Sequence, residues 1–272
     1  MPAPVSARAL RKLLKEVAAW ERQEHVLAVG GAAKLAPVLR QQLLRGRAEP
    51  GAVLLADPAG AGVYIHVLAR EPGAEDVAVL RRARRARVPT IAVALGVPEE
   101  TTIPYVLATD VVWVGAEEVF PLEAIARAVA ARLGERGAPL AARVPLLREA
   151  VGEQLVASFA RKNALVAAAV WIPGADLPFL ALNELRLVLR LAQLHGAAGD
   201  VRDRLPELAA TLGAGFGLRA LARETLGFVP GAGWVVKAGV AYAGTRAVGE
   251  AARLRFALAP MQPLGGAARA AP

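Results

Sequence analysis

The sequence predicts a three-layer α/β domain wound around a parallel sheet, followed by an all-α bundle of two helical hairpins. Three observations carry that prediction. Between Glu24 and Glu135, short β-branched runs alternate with helical stretches, the pattern of a doubly wound layer. The runs Val53-Leu-Leu-Ala56 and Ile91-Ala-Val-Ala-Leu95 are apolar without alternation, as strands buried on both faces must be. After Gly134 the strand pattern stops, and residues from Leu146 to Phe256 read as helix. A chain of 272 residues with 55% apolar and 21% charged residues has ample surface to bury such cores.

Each element follows from local chemistry. Ser6 caps an amphipathic helix whose stripe is Leu10, Leu13, Leu14, Val17 and Trp20, which makes residues 1–23 an N-terminal helix. Residues 24–136 form the α/β domain. Its expected order is a strand at Val26 to Val29, a helix from Ala32 to Leu44, strands at Val53 to Ala56 and Val63 to Leu68, and a helix from Glu75 to Arg87. Strands at Thr90 to Leu95 and Val111 to Val114 and a helix from Pro121 to Leu133 complete it. Gly137 to Pro139 with Pro145 reads as a linker. Residues 146–258 form the helical domain, broken at Trp171-Ile-Pro-Gly-Ala-Asp176 and again at Phe228-Val-Pro-Gly-Ala-Gly233, so that it reads as two related hairpins. Asp176 is a good N-cap for the arm carrying Leu182, Leu185, Leu189 and Ala192 on one side and Asn183, Arg186, Arg190 and Gln193 on another. Residues 259–272, rich in Gly, Ala and Pro, read as a flexible tail.

The order of elements in the first half resembles a small Era-like GTPase domain of Rossmann-like architecture, and the comparison rests on named positions. Val26-Leu-Ala-Val-Gly30-Gly31-Ala-Ala-Lys34-Leu35 sits where a P-loop would, and Val53-Leu-Leu-Ala-Asp57-Pro-Ala-Gly60 resembles the strand carrying the Asp-x-x-Gly motif. Val88 to Gly96 falls where the guanine-reading strand ends. Asp110 to Val114 and Pro121 to Leu133 match the last strand and closing helix. The resemblance implies Gly30, Gly31, Lys34, Asp57 and Gly60 as the phosphate-side and magnesium-side candidates. The motifs depart from the family at the positions that do chemistry. A P-loop needs G-x-x-x-x-G-K-[ST], whereas here Ala28 stands at the first glycine, Ala33 precedes Lys34 and Leu35 replaces the magnesium hydroxyl. Leu95-Gly-Val-Pro98 stands where a guanine-specific Asn-Lys-x-Asp belongs. The expectation is a degenerate GTPase-like layer kept as a scaffold, with no cofactor. The alternative is a divergent nucleotide-binding switch using the Gly30-Gly31 turn and Asp57.

In the second half, Trp171 to Asp176, Asn183-Glu-Leu, Gln193-Leu-His-Gly196, Val229 to Gly233 and Gly244-Thr245 with Gly249 together resemble a bacterial helical domain known as domain of unknown function 697. That domain occurs attached to or beside GTPase-like domains, and membrane association is inferred for it. The resemblance brings no reaction. A spanning helix needs about 20 apolar residues, and each hairpin arm supplies about nine, roughly 13 Å of helix, with Asp176 and Lys237 in the way. The expectation is therefore shallow contact by the hairpin tips through Trp171, Ile172, Phe179, Phe228 and Trp234, with Arg161, Lys162 and Lys237 reaching anionic headgroups. The competing reading packs the tips on each other inside an ordinary bundle.

Composition narrows the remaining classes. Zero Cys excludes disulfides and thiolate chemistry, and three distant histidines, His25, His66 and His195, make a His-based metal site unexpected. Ser6 and Ser158 lie in no nucleophile motif, and the pairs Glu99-Glu100 and Glu117-Glu118 form no acid/base dyad, so no catalytic residue is expected. His66 reads as a structural histidine within a strand. A net charge of +9 favours anionic partners, but an aromatic content of 5% with no aromatics beside the basic run argues against nucleic acid. That run, Arg81, Arg82, Arg84, Arg85 and Arg87, reads as the solvated face of a helix. Met1 to Trp20 carries charges without a following apolar stretch, so the expectation is a cytoplasmic protein, peripheral at the inner membrane face, acting through a protein partner or self-association.

Overall fold

The structure, a computed structural model, describes residues 15–16, 25–116, 118–169, 177–196 and 233–258. The α/β part runs β1 (Leu27–Gly31), α1 (Leu35–Leu43), β2 (Val53–Leu55), β3 (Val63–Leu68), α2 (Ala74–Arg85), β4 (Thr90–Leu95), β5 (Val111–Val114) and α3 (Leu122–Leu133). The strands are all parallel in the order β2-β1-β3-β4-β5. In this doubly wound order the chain leaves β1 for one edge and then returns to β1's other side. Every residue of the central β3 is buried, and the edge strands β2 and β5 are the shortest, which limits the exposed backbone. Side chains alternate across the sheet. Tyr64, His66 and Leu68 face α2, which covers them with Val79, Leu80 and Ala83, while Val63, Ile65 and Val67 point to the opposite face.

Two local devices hold this layer in place. Asp110 ends a short 3₁₀ turn before β5 and receives both Nε and Nη2 of Arg132 from the last turn of α3, a bidentate pair that ties helix to strand. The C-terminus of α2 closes by hydrogen bonds from Arg87 N–H to Arg84 O and from Val88 N–H to Ala83 O. This motif usually holds a glycine at the position that Arg87 occupies here with φ of 56°.

Residues 137–145 do not form the expected linker. A 3₁₀ turn at Gly134–Gly137 leads into α4 (Ala138–Arg143) and a second turn at Pro145–Leu147, and Ala138, Leu140, Ala141, Val144 and Leu147 are buried. Pro139 lies in the first turn of α4, where its missing N–H costs nothing, so it starts a helix rather than breaking one. Arg143 then pairs with Glu49 at 2.6 Å and anchors the segment.

The chain divides into two compact units, Arg22–Gln154, and Met1–Glu21 together with Leu155–Pro272. The division falls inside α5 (Arg148–Ala169), and the second unit also holds α6 (Leu177–Leu194) and α7 (Gly233–Leu258). The N-terminal segment groups with the helical unit. Of the expected helix over 1–23 only Lys15 and Glu16 are described, and the Glu16 carboxylate accepts from Arg186 Nε at 3.2 Å and Nη2 at 3.1 Å. On the polar side of α6, Asn183 and Arg190 are buried, as is Glu184, along with Leu185, Leu189 and Ala192 on the apolar side. Asn183 and Glu184 are held in a hydrogen-bonded network: Asn183 Nδ2 donates to Asn163 Oδ1, Asn163 Nδ2 to Thr245 Oγ1, and Thr245 Oγ1 to Glu184 Oε1. Leu185 is 7% exposed. Its replacement by Ala should cost on the order of 2–5 kcal/mol from lost transfer and cavity terms, measured as a shift of the denaturant midpoint.

Candidate functional site

The turn after β1 is where a phosphate cradle would lie, at the carboxyl ends of β1 and β3 where the strand order reverses. Its glycines serve packing. A Cβ on Gly30 would collide with the hydroxyl of Tyr64, and one on Gly31, where φ is +99°, would strike the backbone of Val67. Ala32 N–H is spent on Val67 O at 2.8 Å, so the turn is sewn to β3 before α1 begins. Lys34 is exposed at the N-cap of α1. Asp57 is exposed and pairs with Arg82 at 3.1 Å. Gly60, at φ +81°, completes a tight turn closed by Ala61 N–H to Pro58 O. Asp57-Pro-Ala-Gly60 therefore folds as a turn former beside an arginine, and among the described residues no cluster of His, Asp and Glu with metal-ligand placement occurs.

Tyr64 heads a buried relay that sequence reading missed. His66 Nε2 donates to Asp76 Oδ1 at 3.0 Å, and the Tyr64 hydroxyl donates to His66 Nδ1 at 3.0 Å. The second Asp76 oxygen accepts Gly73 N–H at 2.9 Å and faces Arg70 at 3.2 Å, so Asp76 also caps α2. The protonation pattern follows from environment. Burial lowers the His66 pKa below its ordinary 6.5, against the opposing pull of Asp76. Burial alone would raise Asp76, but the Gly73 N–H, His66 and Arg70 outweigh it and hold the carboxyl below its usual value. Burial, with Asp57 nearby, pushes the Tyr64 hydroxyl well above its ordinary range. A neutral His66 with its proton on Nε2 and a protonated Tyr64 satisfy every donor. Hydroxyl, imidazole and carboxylate have the order of a nucleophile, base and orienter, but Tyr64 and His66 are each 1% exposed and the hydroxyl is aimed at Gly30 rather than at solvent. His66, read from the sequence as a histidine within a strand, is the middle member of this buried chain of hydrogen bonds. The legible clue is Tyr-x-His on one face of β3, followed by Asp at the third position of the next helix.

The expected membrane-contact residues lie in the helical unit. Glu184 meets Thr245, and eleven residues further on in each segment His195, just past the end of α6, meets Phe256, so α6 and α7 run parallel. Asn163 meets Thr245, while Val156, earlier in α5, packs at the later Gly249, so α5 runs antiparallel to them. The C-terminal end of α5 therefore shares one end of the unit with the N-termini of α6 and α7. Toward that end Leu165, Phe179, Trp234 and Val235 are exposed, Trp234 by 62%, and Lys237 is half-buried. Trp171, Ile172 and Phe228 lie outside the described residues, as does Asp176. No described helix is long and apolar enough to cross a membrane.

No family model, no curated protein and no solved structure matches the chain. The two resemblances rest on the residues quoted for them.

Two measurements check the relay. Because the folded His66 takes up a proton less readily than the unfolded chain, its contribution is complete above pH 6.5 and declines as the pH falls below that value; Asp76 adds a loss in the same direction below 3.8. Urea midpoints at pH 7.5 and 5.5 should fall for the wild type and fall less for His66→Gln, which keeps a donor for Asp76 but does not titrate. Gly30→Ala should cost about 1–3 kcal/mol by overpacking, and Tyr64→Phe in the same chain should recover part of that loss.

Proposed function

We propose that this chain is a non-enzymatic scaffold or adaptor of GTPase-like architecture, which recruits a protein partner or a second copy of itself and touches an anionic membrane surface through one end of its helical unit. The observation that carries the reading is the filled volume above Gly30. A phosphate cradle needs free backbone amides around an open turn. Here Tyr64 occupies the space over Gly30 and Val67 takes the Ala32 amide. Asp57 is engaged by Arg82, and the magnesium hydroxyl is replaced by Leu35. The membrane part is supported by Phe179, Trp234 and Val235 exposed toward one end, with Arg161 and Lys162 exposed on α5 behind them. Aromatic side chains at headgroup depth and cations toward anionic phosphates make a shallow, peripheral contact.

Calorimetry with GTP, GDP and ATP tests the first part. The expected result is no affinity that depends on the turn, and micromolar binding abolished by both Asp57→Ala and Lys34→Ala would establish the nucleotide switch instead. Flotation tests the second. Wild-type protein should rise with vesicles containing anionic lipid and less so at high salt, and a Phe179→Asp, Trp234→Asp double variant should stay at the bottom. Equal flotation of the two proteins would place these side chains in packing alone.

A further inference from the structure

Five arginines crowd the end of α2, and the tertiary structure adds what the sequence places eighteen residues downstream. Arg81, Arg84 and Arg85 stand at i, i+3 and i+4, on one exposed face. Over this face lies Tyr105. Its hydroxyl accepts from Arg81 Nε at 3.2 Å, and the guanidinium carbons of Arg81 and Arg84 each lie 5.9 Å from its ring centroid. The four side chains line an open concavity of about 570 Å³. Arg82 is spent on Asp57, but among the described residues no carboxylate pairs with Arg81, Arg84 or Arg85.

The backbone carries the second, independent observation. Ile103-Pro-Tyr-Val106 is a turn closed by Val106 N–H to Ile103 O, and Tyr105 sits in its third position at φ +66°. With proline before it, that position belongs to glycine or asparagine, and a bulky side chain there is strained. Arg87, just past α2, is likewise a non-glycine residue at positive φ, 56°. The helix dipole accounts for cations in the last turn of α2. It does not account for a strained tyrosine held against them, 40% exposed.

We infer that this concavity is a binding site for a multiply charged phosphate, with the guanidinium groups of Arg81, Arg84 and Arg85 as its ligands and Tyr105 as the plate that orders Arg81 and Arg84. Guanidinium forks match phosphate oxygens two at a time, and three of them within one helical turn suit adjoining phosphoryl groups better than a single monoanion. Tyr105 holds Arg81 and Arg84 in place before the ligand arrives, which lowers the ordering cost of binding. The ligand chemistry is shared by soluble polyphosphates and by polyphosphorylated lipid headgroups.

The test uses the full chain and inorganic tripolyphosphate in a calorimeter at low salt, with a parallel flotation arm using neutral vesicles carrying a minor fraction of phosphatidylinositol bisphosphate. One tripolyphosphate should bind per chain, and Arg84→Ala with Arg85→Ala should weaken it by about tenfold or more. Arg84→Lys with Arg85→Lys should also weaken it, because charge is kept and the fork is lost. Tyr105→Gly relieves the turn, so its melting temperature should not fall while its affinity does. Lys34→Ala should bind like the wild type, which separates this site from the β1 turn. Flotation that tripolyphosphate competes away, and that Trp234→Asp leaves intact, assigns the headgroup as the source; tripolyphosphate binding without such flotation assigns a soluble phosphate. The proposal is overturned if the double alanine or double lysine variant binds like the wild type, if Tyr105→Gly binds unchanged, or if an oligonucleotide displaces tripolyphosphate from these arginines at lower concentration.

Discussion

The Tyr64 ring takes the volume that any side chain at residue 30 would need, and its hydroxyl closes a relay through His66 to Asp76. Much of the α/β unit depends on that contact. It requires glycine after Val29, which allows the tight turn into α1. It places a polar group under α2, which Asp76 then satisfies while capping the helix and receiving Gly73 N–H. One buried side chain thus couples β1, β3 and α2, and the low dielectric around it makes each hydrogen bond costly to lose. The turn that a nucleotide would need for its phosphates is the turn this contact fills.

The helical unit relies on a different polar device. Three helices meet at Asn163, Asn183, Glu184 and Thr245, all buried. Apolar side chains alone tolerate sliding by a turn, whereas side-chain amides and a hydroxyl satisfy one another only in one register. Arg186 extends the network by donating to Asn183 and to Glu16 of the N-terminal segment, which groups with this unit rather than with the sheet that follows it in the chain. A buried polar network sets alignment, and the leucines around it supply the burial.

The two units expose different chemistry. The helical unit presents apolar side chains toward one end, suited to a partner or a lipid surface through area. The α/β unit presents arginines ordered on a tyrosine, suited to phosphate through charge and geometry. In a layer whose β1 turn is filled, the recognition chemistry lies instead at the C-terminal end of α2, around arginines that local sequence assigns to solvent. The strain at Tyr105 marks the difference between a solvated helix end and an arranged one.

The sequence by itself determined the α/β layer, its strand and helix order, and the helical second half. Burial on both faces writes unbroken apolar runs such as Thr90 to Leu95, and capping and breaking residues act within one turn of where they stand, so both signals are local. It also showed that residues 28–35 and 95–98 lack the residues of a P-loop and of a guanine-reading motif, since identity at a position needs no coordinates. It misread residues 137–145, because Pro and Gly mark a loop only until their place in a helical turn is known. It set Asn183 and Arg190 on a side apart from the leucines without showing what covers them, because periodicity reports one apolar stripe and says nothing of a second neighbour on the other side. Tertiary structure alone decided that Tyr64 fills the space over Gly30, that Thr245 reaches Asn163, and that Tyr105 lies over Arg81 and Arg84. These pairings join residues far apart in the chain, and no local propensity encodes a contact whose partner is set by how the sheet and helices pack.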